Sequence, residues 1–202
     1  MFDWGGVILK HHRSWADACG AAGVEVRAGH DAVELVVRRR ALNQQFQAGL
    51  IGPEEFYPEM AKATGDLYTP EEVRCVHDAW LTEEYPGVRG LIERLVSLPR
   101  VETGLLSNTN ACHWERMKEF PTAGLLKHKH ASHLLGHVKP SAEIYRAFER
   151  VTGFVGTDVL FFDDLQENIN TAHSVGWHAE LIDHTGDTAG QLAGHLARYE
   201  VF

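Results

Sequence analysis

The sequence predicts an α/β protein, a parallel sheet flanked by helices, with a separate all-helical unit near the N-terminus. Three observations carry this. Val159-Leu160-Phe161-Phe162 is a run of four apolar residues, too short for a helix, and it reads as a strand buried on both faces. From residue 86 onward, strand-like and helix-like segments alternate, the pattern of a parallel sheet. From about Ser14 to Leu81 every periodic segment is helical, and no strand is expected there.

Composition narrows the field. The chain has 202 residues, 44% hydrophobic and 23% charged, enough for one α/β domain with a sizeable insertion or for two small domains. The formal net charge of −9 and the lack of a long basic run argue against nucleic acid as a partner. Arg38-Arg39-Arg40 reads as the solvated face of an amphipathic helix. Cys19, Cys75 and Cys112 are widely spaced and form no CxxC pair, so reduced, buried thiols in a cytosolic protein are expected. No apolar run approaches membrane-spanning length and no signal peptide opens the chain, which gives a cytoplasmic expectation with no membrane partner. His128, His130, His133 and His137 match no zinc spacing and read as surface or packing residues. Nothing in the sequence sets an oligomeric state.

In chain order, Met1 to Leu9 reads as a strand end running into a glycine turn. Only Met1 and Phe2 precede Asp3, a short lead-in for a central strand, so the chain either starts late or continues upstream. In the helical region, Val33, Val36, Val37 and Leu42 fall near one face, followed by Phe46. Gly52-Pro53-Glu54-Glu55 starts another helix, with proline and acids suited to its first turn. Thr69-Pro70-Glu71-Glu72 is a capping box, with Val73, Val76, His77 and Trp80 as the apolar stripe behind it. Val88, Leu91, Ile92, Leu95 and Val96 form a helix face, and Val101 to Leu106 a strand. Ser107-Asn108-Thr109-Asn110 is a polar turn opening a helix that runs to about Phe120. A short strand is expected near Lys129 to Ser132, then a helix presenting Ile144, Tyr145, Phe148 and Val151. After the anchor strand, Ile169, Ala172 and Val175 mark a helix closed by Gly176. Ala179 to Ile182 is a last strand, and Leu192, Leu196 and Tyr199 mark a last helix.

Four polar sites fall at element ends: Asp3, Ser107-Asn108, Lys139 and Asp163-Asp164. In a parallel sheet the strand ends share one rim, where ligands bind. Adjacent carboxylates repel unless protonated or bridged by a cation, and Mg²⁺ suits them; alternatively one of the pair merely caps the next helix. The set has a chemical logic. A carboxylate can attack phosphorus, a metal can offset the meeting of anion and dianion, and a lysine and a hydroxyl can hold the remaining oxygens.

The segments FDWGGVI (2–8), LLSNTN (105–110), VKPSAEIY (138–145) and FFDDLQENI (161–169), in this order and spacing, resemble the haloacid dehalogenase-like hydrolase superfamily. The resemblance covers nearly the whole chain and is nearest to a subgroup of sugar phosphatases acting on glucose 1-phosphate. It implies a Rossmann-like core over residues 1–13 and 82–202, with a helical cap inserted at 14–81. It also implies a Mg²⁺-dependent phosphatase acting on a small phosphorylated substrate. By position, Asp3 would be nucleophile and metal ligand, with the Gly5 carbonyl and Asp164 as further ligands and Asp163 in support. Ser107 and the Asn108 amide would bind phosphate, Lys139 would stabilise charge, and Asn168 would be a supporting polar residue behind the ligands.

One departure stands out. Most phosphatases of this superfamily carry an acid–base aspartate two residues after the nucleophile, where this chain has Gly5. Such help is worth about 10²–10⁴-fold, so an activated monoester such as a sugar 1-phosphate is the expected substrate. His11 and His12 follow closely enough to supply the base instead. Two other readings compete: a catalytically weak relative that binds a phosphorylated ligand or partner, and a metal-free 2-haloacid dehalogenase. The Asp163-Asp164 pair disfavours the dehalogenase, because metal-free carbon chemistry gains nothing from two acids there.

Overall fold

The computed structural model describes residues 1–202. The strands are β1 (Leu9–His11), β2 (Leu81–Glu84), β3 (Gly104–Ser107), β4 (His128–Ala131), β5 (Leu160–Asp163) and β6 (His178–Leu181). Helices α1 (Trp15–Ala22), α2 (Val33–Gln47), α3 (Pro53–Ala63) and α4 (Pro70–Asp78) lie between β1 and β2. Helix α5 (Val88–Val96) precedes β3; α6 (Ala111–Arg116) and α7 (Pro121–Leu125) lead to β4. Helices α8 (Ser132–Leu135) and α9 (Ala142–Thr152) precede β5, α10 (Gln166–Ser174) follows it, and α11 (Thr188–Arg198) ends the fold.

Phe2 joins the halves of the sheet. It bridges Leu105 on one side and Phe162 on the other, both in parallel. With β3 paired to β4 and β5 to β6, also in parallel, the order is β4–β3–Phe2–β5–β6. Both faces are buried. Leu105 and Phe162 belong to one apolar cluster with α5 and α11, whereas Leu106 and Phe161 belong to another with α9 and α10. Neighbouring residues of each strand thus feed opposite layers, which is why these strands read as unbroken apolar runs.

The four inserted helices have a core of their own, built on Phe46, Phe56, Tyr57, Met60, Tyr68, Val73 and Val76. The fold is therefore an α/β core with an inserted helical cap. The expected capping box is present: Thr69 Oγ1 accepts from the Glu72 amide and Glu72 from the Thr69 amide. Glu72 also pairs with Arg27, whose guanidinium lies over the Tyr68 ring.

Several expectations need correction. The insert is bounded by an antiparallel ribbon, β1 against β2, and Leu81 opens a strand rather than closing a helical region. Leu-Lys-His and Leu-Thr-Glu-Glu carry no apolar alternation that would mark them. On α2 only Phe46 is buried; Val33 and Val37 are 77% and 60% exposed, because the helix docks through its C-terminal half. Val96 and Val151 sit in last turns and are also exposed. Of the three thiols, Cys19 is buried and Cys112 partly so, but Cys75 is exposed, lying off the α4 stripe of Val73, Val76 and His77. No helix is long and apolar enough to cross a membrane.

Candidate active site

The sheet carries three acids and a hydroxyl to one rim. The Asp3 amide donates to the Phe162 carbonyl at 2.8 Å, so Asp3 emerges between β3 and β5. Ser107 ends β3 and Asp163 ends β5, with Asp164 next. Ligand oxygens of Asp3, Asp163 and Asp164 all lie within 4.8 Å of one another. Lys139, from the loop before α9, reaches the same point: Nζ is 3.0 Å from Asp3 Oδ1 and 2.7 Å from Asp163 Oδ2, and it donates to the Leu106 carbonyl at 2.9 Å. Residues separated by more than 130 positions in sequence meet there.

Asp163 is fully engaged. Its Oδ1 accepts from the Leu165 amide and from Asn168 Nδ2, each at 2.9 Å, and its Oδ2 from Lys139. Asp3 and Asp164 line the cavity above, while Asp163 lies behind them, fully buried. Asn168, also buried, thus orients the carboxylate that holds Lys139.

The loops are clasped as well. Asn108 Nδ2 donates to the Lys139 carbonyl at 2.8 Å, and the Lys139 amide donates to Asn108 Oδ1 at 2.7 Å. This two-way bond fixes the lysine backbone against the β3 loop; the sequence had suggested only the Asn108 amide. Ser107 is buried and lines the cavity.

Gly5 and Gly6 explain the turn after Asp3. Gly6 has φ +82°, and a Cβ there would lie 2.3 Å from Asp164 Cγ, so only glycine lets that carboxylate approach. A Cβ on Gly5 would lie 2.8 Å from His11 Cδ2 and 3.0 Å from His11 Nε2. The His11 ring therefore fills the space that a side chain at position 5 would take. Its Nδ1 lies 2.8 Å from the His12 carbonyl, which can only accept, so Nδ1 carries the proton and Nε2 is the basic nitrogen. Burial lowers the His11 pKa, against the His12 carbonyl and Asp164, which raise it. His12 does not line the cavity, because successive residues of an extended chain point to opposite sides.

Burial pushes the Asp3 carboxyl well above its usual range; Lys139 pulls it down, but Asp163 and Asp164 push it further up. Burial alone would lower Lys139, yet Asp163 and Asp3 outweigh it and hold the ammonium charged. Arg13 adds a second cation, its Nη2 2.7 Å from Asp164 Oδ2, and His184 Nδ1 is 3.7 Å from the same oxygen. The donor set fits a hard dication: three carboxylates crowd together, and burial, with Asp163 and Asp164 adding to it, pushes Asp3 toward its neutral form. Zinc-type ligands are absent from this set, and His128, His130, His133 and His137 stand outside it.

Above the acids lies a cavity of about 600 Å³, within the small-molecule range. Its cap side carries Arg39, Arg40, Asn43 and Gln47; of the triplet read as a solvated face, Arg38 and Arg40 are exposed as expected, but Arg39 is half-buried and both Arg39 and Arg40 line the cavity. Deeper in, His77 of α4 and His113 of α6 stack with centroids 3.8 Å apart, and Asn110 Nδ2 approaches His77 Nε2 at 3.1 Å. Arg13, Gly6 and this histidine pair were not picked out from the sequence. The glycine pair after Asp3 was the one available signal.

Fold and site together define a capped α/β enzyme with an aspartate–lysine centre at the carboxyl ends of its strands. The family model for haloacid dehalogenase-like hydrolases matches residues 1–176, and the chain belongs to that family. It is 25% identical over 204 residues to D-ribitol-5-phosphate phosphatase of Bacteroides thetaiotaomicron, covering 95% of each chain. A family enzyme from the same bacterium, solved with magnesium and inorganic phosphate, superposes with TM-score 0.76 at 21% identity, over 94% of this chain and 96% of that one. A predicted family hydrolase from Porphyromonas gingivalis gives 0.77 at 23% identity, over 96% and 95%.

Proposed function

We propose that the protein is a Mg²⁺-dependent phosphatase of a small phosphorylated metabolite, working through a phosphoaspartate on Asp3. The observation that carries this is the buried Asp3 carboxylate, held 3.0 Å from Lys139 and grouped with Asp163 and Asp164. The magnesium and phosphate bound by the solved family enzyme, and the phosphatase activity named for the Bacteroides relative, support it. Residues 14–81 serve as the cap over a core of 1–13 and 82–202, a division supported by the separate apolar cluster of the helices.

Asp3 attacks phosphorus with one carboxylate oxygen, and the bond from phosphorus to the leaving oxygen breaks. Ser107 and the Asn108 amide hold the phosphoryl oxygens, and Lys139 offsets their charge. Asp3, Asp164 and the Gly5 carbonyl are the residues that would hold Mg²⁺, with Asp163 in support. The ion supplies positive charge where two anions meet. Water then cleaves the phosphoaspartate, and His11 Nε2 takes its proton; His12, off the cavity, is the weaker choice.

With Gly5 in place of the second aspartate, loss of leaving-group protonation favours activated esters, a sugar 1-phosphate above all. The His11 ring beside Gly5 supports a second reading, in which the imidazole enters the cycle protonated on Nε2, gives that proton to the leaving oxygen and regains one from the attacking water, so that alkyl esters such as a pentitol phosphate are also turned over. Hydrolysis of p-nitrophenyl phosphate, a sugar 1-phosphate and a primary alkyl phosphate, with and without Mg²⁺, decides between them. The first reading expects the alkyl ester to lag by 10²-fold or more, and equal rates discard it. Activity that survives Asp3→Asn sinks the phosphoaspartate. No Mg²⁺-dependent turnover of any ester leaves a binding protein, and chloride release without metal a dehalogenase.

A further inference from the structure

The cap wall of the cavity is cationic in a way that phosphoryl chemistry at the strand ends does not use. Arg39, Arg40, Asn43 and Gln47 line it from one helix, at spacings that put them along a single stripe of α2. Six of the 13 arginines pair with carboxylates, among them Arg13 with Asp164 on the same cavity and Arg27 with Glu72. Of the unpaired ones, Arg39 and Arg40 line the cavity; Asp31 lines it too and acts on Arg39 without forming an ion pair. Arg39 donates from Nη1 to the His30 carbonyl at 2.6 Å, and its guanidinium lies 5.1 Å from the Trp15 ring centroid. A guanidinium has five donor hydrogens, so most of Arg39's capacity is left over. Partial burial of a charge without a counter-ion is unfavourable, and here it is held in place by Trp15 and His30.

The two walls therefore differ in what they want. The strand-end wall offers Asp3, Asp164 and Ser107, with Lys139 buried 3.0 Å behind Asp3 Oδ1, a set suited to one phosphoryl group. The cap wall offers two guanidiniums outside any ion pair and two carboxamides, with the Asp31 carboxylate as the one acid near Arg39. We infer that the cavity selects phosphomonoesters bearing a second anionic group, a carboxylate or another phosphate, which Arg39 and Arg40 receive while Asn43 and Gln47 meet intervening hydroxyls. This rests on the phosphoryl site proposed above and narrows the sugar and polyol phosphates named there to their acid or bisphosphate derivatives, which carry charge at the other end. An uncharged polyol phosphate would leave both guanidiniums unmatched and bind less tightly.

The test is calorimetric binding to the Asp3→Asn protein in Mg²⁺, which does not depend on turnover. Ribitol 5-phosphate, 5-phosphoribonate and ribitol 1,5-bisphosphate share one skeleton and differ at the far carbon. At least one anionic ligand is expected to bind ten-fold or more tighter than ribitol 5-phosphate, and the better of the two identifies the group. Adding Arg39→Gln and Arg40→Gln is expected to bring that ratio below three. Because Arg39 also braces His30 and Trp15, Arg40→Gln alone is the companion variant; Arg40 is exposed and makes no side-chain hydrogen bond or ion pair, and its replacement should lower the ratio at least three-fold. Equal affinities in the parent, a preference untouched by either variant, or no binding of any ligand overturns the inference. Failure of the phosphoryl site shows itself separately, as wild-type protein that does not hydrolyse p-nitrophenyl phosphate with Mg²⁺ while the charge preference stands.

Discussion

The His11 imidazole occupies the space beside Gly5: a Cβ added at position 5 would come within 2.8 Å of His11 Cδ2. The missing aspartate and the histidine are thus alternative tenants of one volume, and the two positions should be coupled.

Gly5→Asp alone is expected to destabilise the protein by about 1–3 kcal/mol through overpacking. Combined with His11→Ala, most of that loss should disappear, a non-additivity above about 0.5 kcal/mol in urea denaturation. In the double variant the new carboxyl has room, so alkyl-phosphate hydrolysis should rise relative to His11→Ala. Strict additivity would show that the ring swings away at no cost and that the volumes are not shared.

Lys139 is the sole ammonium between Asp3 and Asp163, at 3.0 and 2.7 Å. Replacing it with methionine leaves two buried carboxylates without their counter-ion, which should cost about 3–5 kcal/mol and abolish aryl-phosphate hydrolysis. Adding Asp3→Asn removes one of the stranded charges and should restore part of the stability without restoring activity. A Lys139→Met protein within about 1 kcal/mol of wild type would contradict this account of the centre.

His113 links cap and core, stacked on His77, with its Nε2 2.8 Å from the His77 carbonyl. Burial, then the neighbouring His77, lowers its pKa to about 3, against an ordinary value of 6.5. Arg116 adds to this, while Asp78 opposes it. The folded state therefore binds fewer protons than the unfolded one between those values. The stability contribution is full above about pH 6.5 and is lost as pH falls toward 3, with a slope of at most about 1.4 kcal/mol per pH unit. His77 is shifted in the same direction. His113→Gln should flatten the acid limb of a stability–pH curve measured by chemical denaturation, and an unchanged limb would remove His113 as its source.

Local chemistry was readable where it repeats or punctuates. The run Val159 to Phe162 reported its burial on both faces because both neighbouring layers are apolar. The Thr69–Glu72 box reported a helix start because its partners are three residues apart. Motif order brought Asp3, Ser107, Lys139, Asp163 and Asp164 together before any geometry, since parallel strands deliver their ends to one rim.

What the sequence by itself determined is the family, the α/β architecture and the acid–lysine set, all of which follow from short-range pattern and motif spacing. Only the tertiary structure decided that His11 stands against Gly5, that Asp163 lies behind Asp3 and Asp164, and that Arg39 and Arg40 face the cavity while Val33 and Val37 face water. These depend on how one element is rotated against another. Helical periodicity names a face, but which neighbour that face meets is settled by packing between segments far apart in the chain.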